Sequence, residues 1–359
     1  MMATRNEGAA PLLEVNNLHV SFATYGGSVQ AVRGVDLALY KGETLAIVGE
    51  SGSGKSVTAR SIMRLLPKQT ATINKGSIKY KNIELVSMSE KQIRKLRGSE
   101  ITMIFQDAMT ALNPTISIGE QLMEGIRHHQ KLSRAEAKKR AMDMLQLIGI
   151  KDPEARMKQY LHEFSGGMRQ RVMIAIAAIG NPSILIADEP TTALDVTIQA
   201  QILDLFKMLQ AETGVSIIMI THDLGVVANL AQRVCVMYAG KIVESGTVRQ
   251  IFYDPKHPYT QGLLASMPRV DGDRSKPLIS IPGTPPDLFS PPIGCPYSAR
   301  CPYVMEVCGS YDPPSVSMDG APEHTAACWL LDERSKGVFP KKSVPTPKVL
   351  EPAIRSSIS

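Results

Sequence analysis

The chain has 359 residues, 43% hydrophobic and 21% charged, with 27 Gly and 24 Pro; this is enough apolar material for a sizeable core and excludes a collagen-like or wholly disordered chain. Of the net charge of +6, most falls in residues 333–359, where Arg334, Lys336, Lys341, Lys342, Lys348 and Arg355 outweigh Glu333 and Glu351, so with aromatics at only 5% no basic stacking groove for nucleic acid is expected. The longest apolar run, residues 172–179, stops at Gly180-Asn181-Pro182, short of the roughly 18 residues of a spanning helix, and the opening MMATRNEGAA has no signal-like apolar stretch, so a cytosolic chain is expected.

Residues 1–11 lack hydrophobic periodicity and read as a flexible leader. LLEVNNLHVSF (12–22) and VDLALYKGETLAIVG (35–49) carry short branched-aliphatic runs that predict strands, the second entering a Gly-rich turn. After Gly54, KSVTARSIMRLL has helical spacing, and Pro67 marks its end. The stretch from about Ala111 to Ala178 is predicted to be mostly helical. Within it, Ser133 with Glu136 forms a capping-box pattern, and Ala137, Ala141, Met144 and Leu145 share one face.

ILIAD (184–188) and SIIMITHD (216–223) are near-continuous apolar strands separated by a helical pattern over 196–214, which implies a parallel sheet covered on both faces. VCVMYAGKIVESG (234–246) predicts a hairpin turning at Ala239-Gly240. From about Ser266 the composition shifts to Pro, Gly, Cys and Asp, as expected for a small domain held by something other than a large apolar core. Residues 333–359 are expected to be a disordered basic tail.

GESGSGKS, Gly49 to Ser56, matches G-x-x-x-x-G-K-[ST] with a strand before it and a helix after it. Gly49, Gly52 and Gly54 allow a tight backbone wrap whose N–H groups meet phosphate oxygens, and the following helix adds its positive end. Glu50, Ser51, Ser53 and Val57 complete the expected nucleotide contact. Lys55 would bridge the outer phosphates and the Ser56 hydroxyl would ligate Mg²⁺. Downstream, ILIADEP ends its strand on two adjacent carboxylates, which need a cation or hydrogen bonds to be tolerated there. Asp188 would support Mg²⁺, and Glu189 would orient or deprotonate an attacking water.

With FQDAMTALNP, EFSGGMRQR (163–171), ILIADEPTTALD (184–195) and ITHD (220–223) in the same order, residues 13–265 resemble the ATP-binding-cassette (ABC) ATPases. The resemblance implies an α/β fold of the P-loop NTPase, ABC ATPase type: a mixed sheet core with a helical subdomain at about 107–178, inside a cassette spanning 12–265. It also implies ATP hydrolysis with Mg²⁺. Gln106 would touch the Mg²⁺ and water region and couple nucleotide state to the helical subdomain, and His222 would contact the γ-phosphate. Ser165, Gly166, Gly167 and Met168 resemble the signature that binds ATP across a dimer, with Phe164 and Met168 departing from the usual LSGGQ. Asp195 would lie at the dimer seam. Phe22, with Tyr25 as the nearby rival, falls where the adenine-stacking aromatic is expected.

YDPKHPYTQGLLASMP (253–268) and GTPPDLFSPPIGCPYSARCP (283–302) resemble the C-terminal extension of oligopeptide and dipeptide importer ATPases, nearest the D-type subunits of oligopeptide permeases, although Ala108 replaces the Pro usual after QD. This implies a small Cys/Pro-rich domain over 266–332. Cys235 lies in an apolar strand and is expected to be a buried hydrophobe. Cys295, Cys301, Cys308 and Cys328 are separated by five, six and nineteen residues. A cytosolic chain argues against disulfides, and this spacing matches neither common zinc nor ferredoxin patterns. Spacing alone leaves the metal open with zinc favoured; the family resemblance points to a 4Fe-4S cluster, with zinc or free thiols as the alternatives. The function implied is ATP hydrolysis that powers import of oligopeptides or dipeptides, or else of nickel, glutathione or another small solute. The chain would sit on the cytoplasmic face of the membrane. Implied partners are two membrane-spanning permease subunits, a second homologous ATPase subunit as heterodimer partner and, indirectly, an extracellular peptide-binding protein; no nucleic acid is implied.

Overall fold

The computed structural model describes residues 10–106, 112–192, 194–267 and 280–335. The expected leader up to residue 9, the start of the helical region at 107–111 and the tail from 336 lie outside these residues. In chain order the elements are β1 (Leu13–Thr24), β2 (Gly27–Leu39), β3 (Thr44–Val48), α1 (Lys55–Ile62), β4 (Ala71–Tyr80), β5 (Ile83–Glu84), α2 (Glu90–Leu96), β6 (Ile101–Ile104), α3 (Ile118–Gln130), α4 (Arg134–Leu147), α5 (Pro153–Arg156), α6 (Gly166–Ala178) and β7 (Ile184–Asp188). They continue with α7 (Val196–Thr213), β8 (Ser216–Thr221), α8 (Leu224–Leu230), β9 (Arg233–Tyr238), β10 (Lys241–Thr247), α9 (Val248–Tyr253), α10 (Pro258–Ala265), α11 (Glu306–Ser310), β11 (Ser315–Met318) and β12 (Ala321–Ala327).

These elements form two compact units. One contains the described residues of 1–38, 45–83 and 221–359; the other contains 39–44 and 84–220. In the first unit, β1 pairs antiparallel with β4 in a sheet of order β2-β1-β4-β5. A second run of strands places β3 parallel to β9, then β9, β10, β12 and β11 antiparallel in turn. The β9–β10 hairpin turns at Ala239 and Gly240 as predicted, both at positive φ (47° and 80°), the backbone that matches the right-handed twist of paired strands.

The Cys-rich segment does not stand apart from this unit. Cys295, Tyr297 and Cys308 share one buried cluster with Ala46, Val48, Val236, Tyr238, Phe252 and Tyr259, and β12 adds to the sheet beside β10. The segment borrows the core of the sheet it packs on, so it needs few apolar residues of its own.

In the second unit β7 lies between β6 and β8, parallel to both. Every residue of β7 and β8 is buried, as continuous apolar strands require when both faces are covered. Helices α2, α3, α4, α6 and α7 begin where Ser89, Ser117, Ser133, Ser165 and Asp195 side chains accept from first-turn N–H groups. The predicted capping box is present: Ser133 N donates to Glu136 Oε2 at 2.9 Å and Glu136 N to Ser133 Oγ at 3.3 Å. The buried face of α4 is Ala137, Ala141, Met144 and Leu145. Strand β4 had no legible signal, because only Ile78 and Tyr80 along it are fully buried.

Candidate nucleotide site

In the first unit β3 runs into the loop Gly49–Gly54 and then α1. The glycines are dictated by space as well as by backbone angle. At Gly49 (φ 154°) an added Cβ would lie 2.1 Å from the Met237 carbonyl oxygen, and at Gly54 (φ 102°) 2.5 Å from that of Ala31. Gly52 (φ 78°) faces open space, so its requirement is the backbone angle alone. The loop is pinned by Gly240 N donating to Ser53 O at 2.9 Å, and α1 by Thr58 Oγ1 donating to Gly54 O at 3.0 Å. Lys55, 5% exposed, donates from Nζ to Gly49 O (2.8 Å) and Glu50 O (2.9 Å). An ammonium held at the loop's own carbonyls is placed to exchange them for phosphate oxygens. The N-cap of α1 is Gly54, which has no side chain to cap the first turn that carries Ser56 and Val57. The Glu50 carboxylate is turned to Arg300, leaving the Glu50 backbone as the part that serves the loop.

His222 shares a cavity of about 320 Å³ with Val48, Gly49 and Glu50. Its position is set by Asp223, which caps α8 through Gly225 N at 2.7 Å. Phe22 is half-buried in β1 opposite Ala71, while Tyr25 is fully exposed at the β1–β2 turn.

In the second unit Asp188, 1% exposed, ends β7, and Glu189 follows at φ 49° with its N–H bonded to Ile220 O at 2.9 Å. Gln106 Nε2 donates to Glu189 Oε2 at 2.8 Å and Thr192 Oγ1 donates to the same oxygen at 3.0 Å. The predicted pair Gln106 and Glu189 is therefore in direct contact, and Thr192 is a member that the sequence reading did not single out. Ser165 caps α6, accepting from Met168 N at 3.4 Å. Gly166 and Gly167 form the start of that helix. Buried Gln170 fixes it to the chain after β7 by donating to Pro190 O at 2.6 Å. Asp195 caps α7, accepting from Ile198 N at 2.9 Å.

Cys235 is buried in β9 as expected. Cys295, Cys301, Cys308 and Cys328 are free thiols. Burial pushes Cys328 up to about 12 and Cys295 to about 11, and raises Cys301; each of the three also accepts a backbone N–H, from Leu330, Tyr297 and Tyr303 respectively. Cys295, Cys301 and Cys308 each contribute repulsion to the Cys328 thiolate, so the four share one region. Among the described residues no group of three or more His, Cys, Asp or Glu side chains is arranged to hold a metal ion. The expected iron-sulfur cluster thus finds four thiols in one region but, among the described residues, no arrangement ready to hold a metal.

Comparison with known proteins accords with this geometry. The ABC transporter family matches residues 32–192, and the oligopeptide/dipeptide transporter C-terminal region matches 243–308. The chain is 60% identical over 325 residues to the dipeptide transport ATP-binding protein DppD of Bacillus subtilis, covering 90% of this chain and 96% of that one. It is 56% identical over 333 residues to the oligopeptide transport ATP-binding protein OppD of the same organism, covering 93% and 92%. Among solved structures it resembles the ATP-binding cassette MJ0796 in a dimeric post-hydrolysis state bound to ADP and Pi, with TM-score 0.59, 27% identity, and 66% of this chain and 99% of that chain covered. The loop, the acidic strand end and the C-terminal match together place this chain in the family of ABC transporter ATP-binding subunits of the oligopeptide and dipeptide type.

Proposed function

We propose that the chain hydrolyses Mg·ATP to power import of oligopeptides or dipeptides through a membrane ABC transporter. The observation that carries this is the Gly49–Ser56 loop, whose glycines have no room for a side chain at two positions and whose Lys55 lies on the loop carbonyls. In this reading the loop N–H groups and Lys55 hold the phosphates, and Ser56, Gln106 and Asp188 serve Mg²⁺. Glu189 accepts the proton of the attacking water, with Gln106 and Thr192 orienting its carboxylate. His222 holds the γ-phosphate, and Phe22 stacks on adenine.

Ser165, Gly166, Gly167 and Met168 complete the site of a second, homologous ATPase subunit, with Asp195 at the seam. ATP binds the closed pair better than the open pair, and that differential affinity drives two membrane-spanning permease subunits. No described helix is long and apolar enough to cross a membrane; in this reading the transport path belongs to other chains and this one sits at the cytoplasmic face. An extracellular peptide-binding protein would deliver cargo. Purification with co-expressed permease subunits, followed by assay of Mg·ATP hydrolysis and of peptide uptake, tests the proposal. A complex that does not bind ATP, or a lone monomer that hydrolyses at the full rate, refutes it.

The domain boundaries near 12, 266 and 333 belong to the same proposal and rest on the change in composition. So does the 4Fe-4S cluster, supported by four gathered thiols of which three accept backbone N–H groups. When bound, such a cluster would act as a structural clamp on the segment. Iron and acid-labile sulfide measured on the purified complex decide it: about four of each per chain support the cluster, and zinc or no metal overturns it.

A further inference from the structure

We propose that Arg300, far along the chain in the Cys-rich segment, is a positioning residue for nucleotide binding that acts through Glu50 of the phosphate loop. The inference rests on the reading of Gly49–Ser56 as the nucleotide loop. Glu50 is held at three points. Its N–H donates to Tyr259 Oη at 2.9 Å, its carbonyl accepts from Lys55 Nζ at 2.9 Å, and its carboxylate accepts both terminal nitrogens of Arg300, at 2.6 and 3.0 Å. The paired contact is the planar fork-to-carboxylate match that only guanidinium makes.

Arg300 has no slack with which to let Glu50 move. It is 7% exposed; Nε donates to Pro282 O at 2.8 Å, Nη2 to Ile281 O at 3.3 Å and Nη1 to Tyr238 Oη at 3.2 Å. Its guanidinium carbon lies 5.7 Å from the centroid of the Tyr238 ring, and Tyr238 packs on Tyr259 and Tyr297 at centroid distances of 4.5 and 5.3 Å. The Arg300 backbone is equally fixed, in a turn where Ser298 N donates to Cys295 O and Cys301 N to Ser298 O. A rigid strut therefore runs from the cysteine turn to the second residue of the phosphate loop.

The carbonyl that Lys55 grips belongs to the residue that Arg300 holds. Rotating the Glu50 peptide displaces the Lys55 ammonium as well as the neighbouring loop N–H groups. A purely structural ion pair would set melting temperature alone; this one sets the affinity for phosphate.

The test uses the assembled transporter and compares Arg300→Met, Arg300→Lys, Glu50→Gln and the double variant Arg300→Met/Glu50→Gln with the parent. The expected result is a KM and a Kd for Mg·ATP raised about 5- to 30-fold in each single variant, within the range measured for contacting pairs, with kcat within about threefold. Arg300→Lys does not rescue, because an ammonium lacks the fork. The double variant is no worse than Arg300→Met, since both changes break one link. If Arg300→Met does not fold, Arg300→Lys and Glu50→Gln carry the comparison. Variants that melt earlier yet keep the parent KM overturn the proposal, as does a double variant whose losses multiply. A parent complex that fails to bind Mg·ATP instead overturns the nucleotide-loop reading itself.

Discussion

Replacing Glu189 with Gln separates what its carboxylate does for the fold from what it does for the chemistry. Two donors to the side chain, Gln106 Nε2 at 2.8 Å and Thr192 Oγ1 at 3.0 Å, point at the same oxygen, Oε2. A glutamine carbonyl oxygen in that place accepts both, so volume, backbone angle and these two hydrogen bonds are kept. Two charge-assisted bonds become neutral ones, a loss on the order of 1 kcal/mol in total for a partly exposed group. Removing a general base costs about 10²- to 10⁴-fold in rate, equivalent to roughly 3–5 kcal/mol in barrier height. The catalytic term exceeds the structural one, so kcat should fall at least 100-fold while the melting temperature shifts by only a few degrees. The assay is phosphate release from the assembled complex at saturating Mg·ATP, beside equilibrium nucleotide binding and a thermal melt. Affinity for Mg·ATP within threefold of the parent and a longer-lived nucleotide-bound dimer complete the expectation. A kcat within threefold of the parent would refute the assignment of Glu189 as base.

Two further changes probe the first unit. Gly54→Ala meets the Ala31 carbonyl at 2.5 Å and Met237 Cε at 2.8 Å with φ at 102°, so nucleotide affinity should drop more than tenfold, whereas Gly52→Ala, with nothing within 4 Å, bears only the backbone strain of about 1–3 kcal/mol; titration with a fluorescent ATP analogue ranks the two. His257 is fully buried and accepts from Tyr259 N at 3.0 Å, and burial lowers it from 6.5 to about 4 against an opposing pull from Glu244. Between these values the unfolded chain takes up a proton that the folded chain refuses, so stability is intact above about 6.5 and falls toward pH 4, by about 3 kcal/mol at most. His257→Asn keeps an acceptor at the start of α10 and removes the titration, so melting curves of the variant should be flatter across that window; an unchanged slope would show that another group controls it.

Apolar runs and glycine spacing made β3, α1, β7, α7 and β8 legible in the sequence, since each has a fully buried strand, a phosphate-loop pattern or, in α7, apolar residues at helical spacing such as Ile202, Leu205, Phe206 and Leu209. The β9–β10 turn was legible for the same reason: Ala239-Gly240 is the one break between two apolar runs. Contacts between residues far apart in sequence were not. Glu50 meets Arg300 across 250 positions, and nothing local to Arg300 marks it, because an arginine among prolines reads as a solvated surface residue until its guanidinium is seen against Tyr238. Thr192 was written out within TTALD without a role for a similar reason; the backbone turn at Glu189, not residue type, brings its hydroxyl to the carboxylate.

The departure of this chain from LSGGQ can be judged position by position, and it yields a last prediction. Phe164 is 2% exposed with the Arg156 guanidinium 6.0 Å from its ring centroid, so that position serves packing and accepts Phe for Leu. Met168 contributes its backbone N–H to Ser165, a role indifferent to the side chain. Gly167 has a local reason to be small, since a Cβ would lie 3.0 Å from Ile198 Cγ2. Gly166 has none among the described residues: beyond its chain neighbours and its own helix backbone nothing lies within 4 Å of a Cβ placed there, and its φ is not positive. Glycine in a helix interior is unfavourable by up to about 1 kcal/mol relative to alanine, and at the first helical position, where Gly166 lies, folding gives glycine no advantage over alanine. A partner whose bound nucleotide meets the start of α6 would supply such a reason, and the proposed signature role of Gly166 is tested there. Gly166→Ala should therefore melt no lower than the parent and leave ATP binding to the isolated chain unchanged, while ATPase of the assembled complex drops at least tenfold. Full ATPase in that complex would mean that no partner's nucleotide approaches this helix.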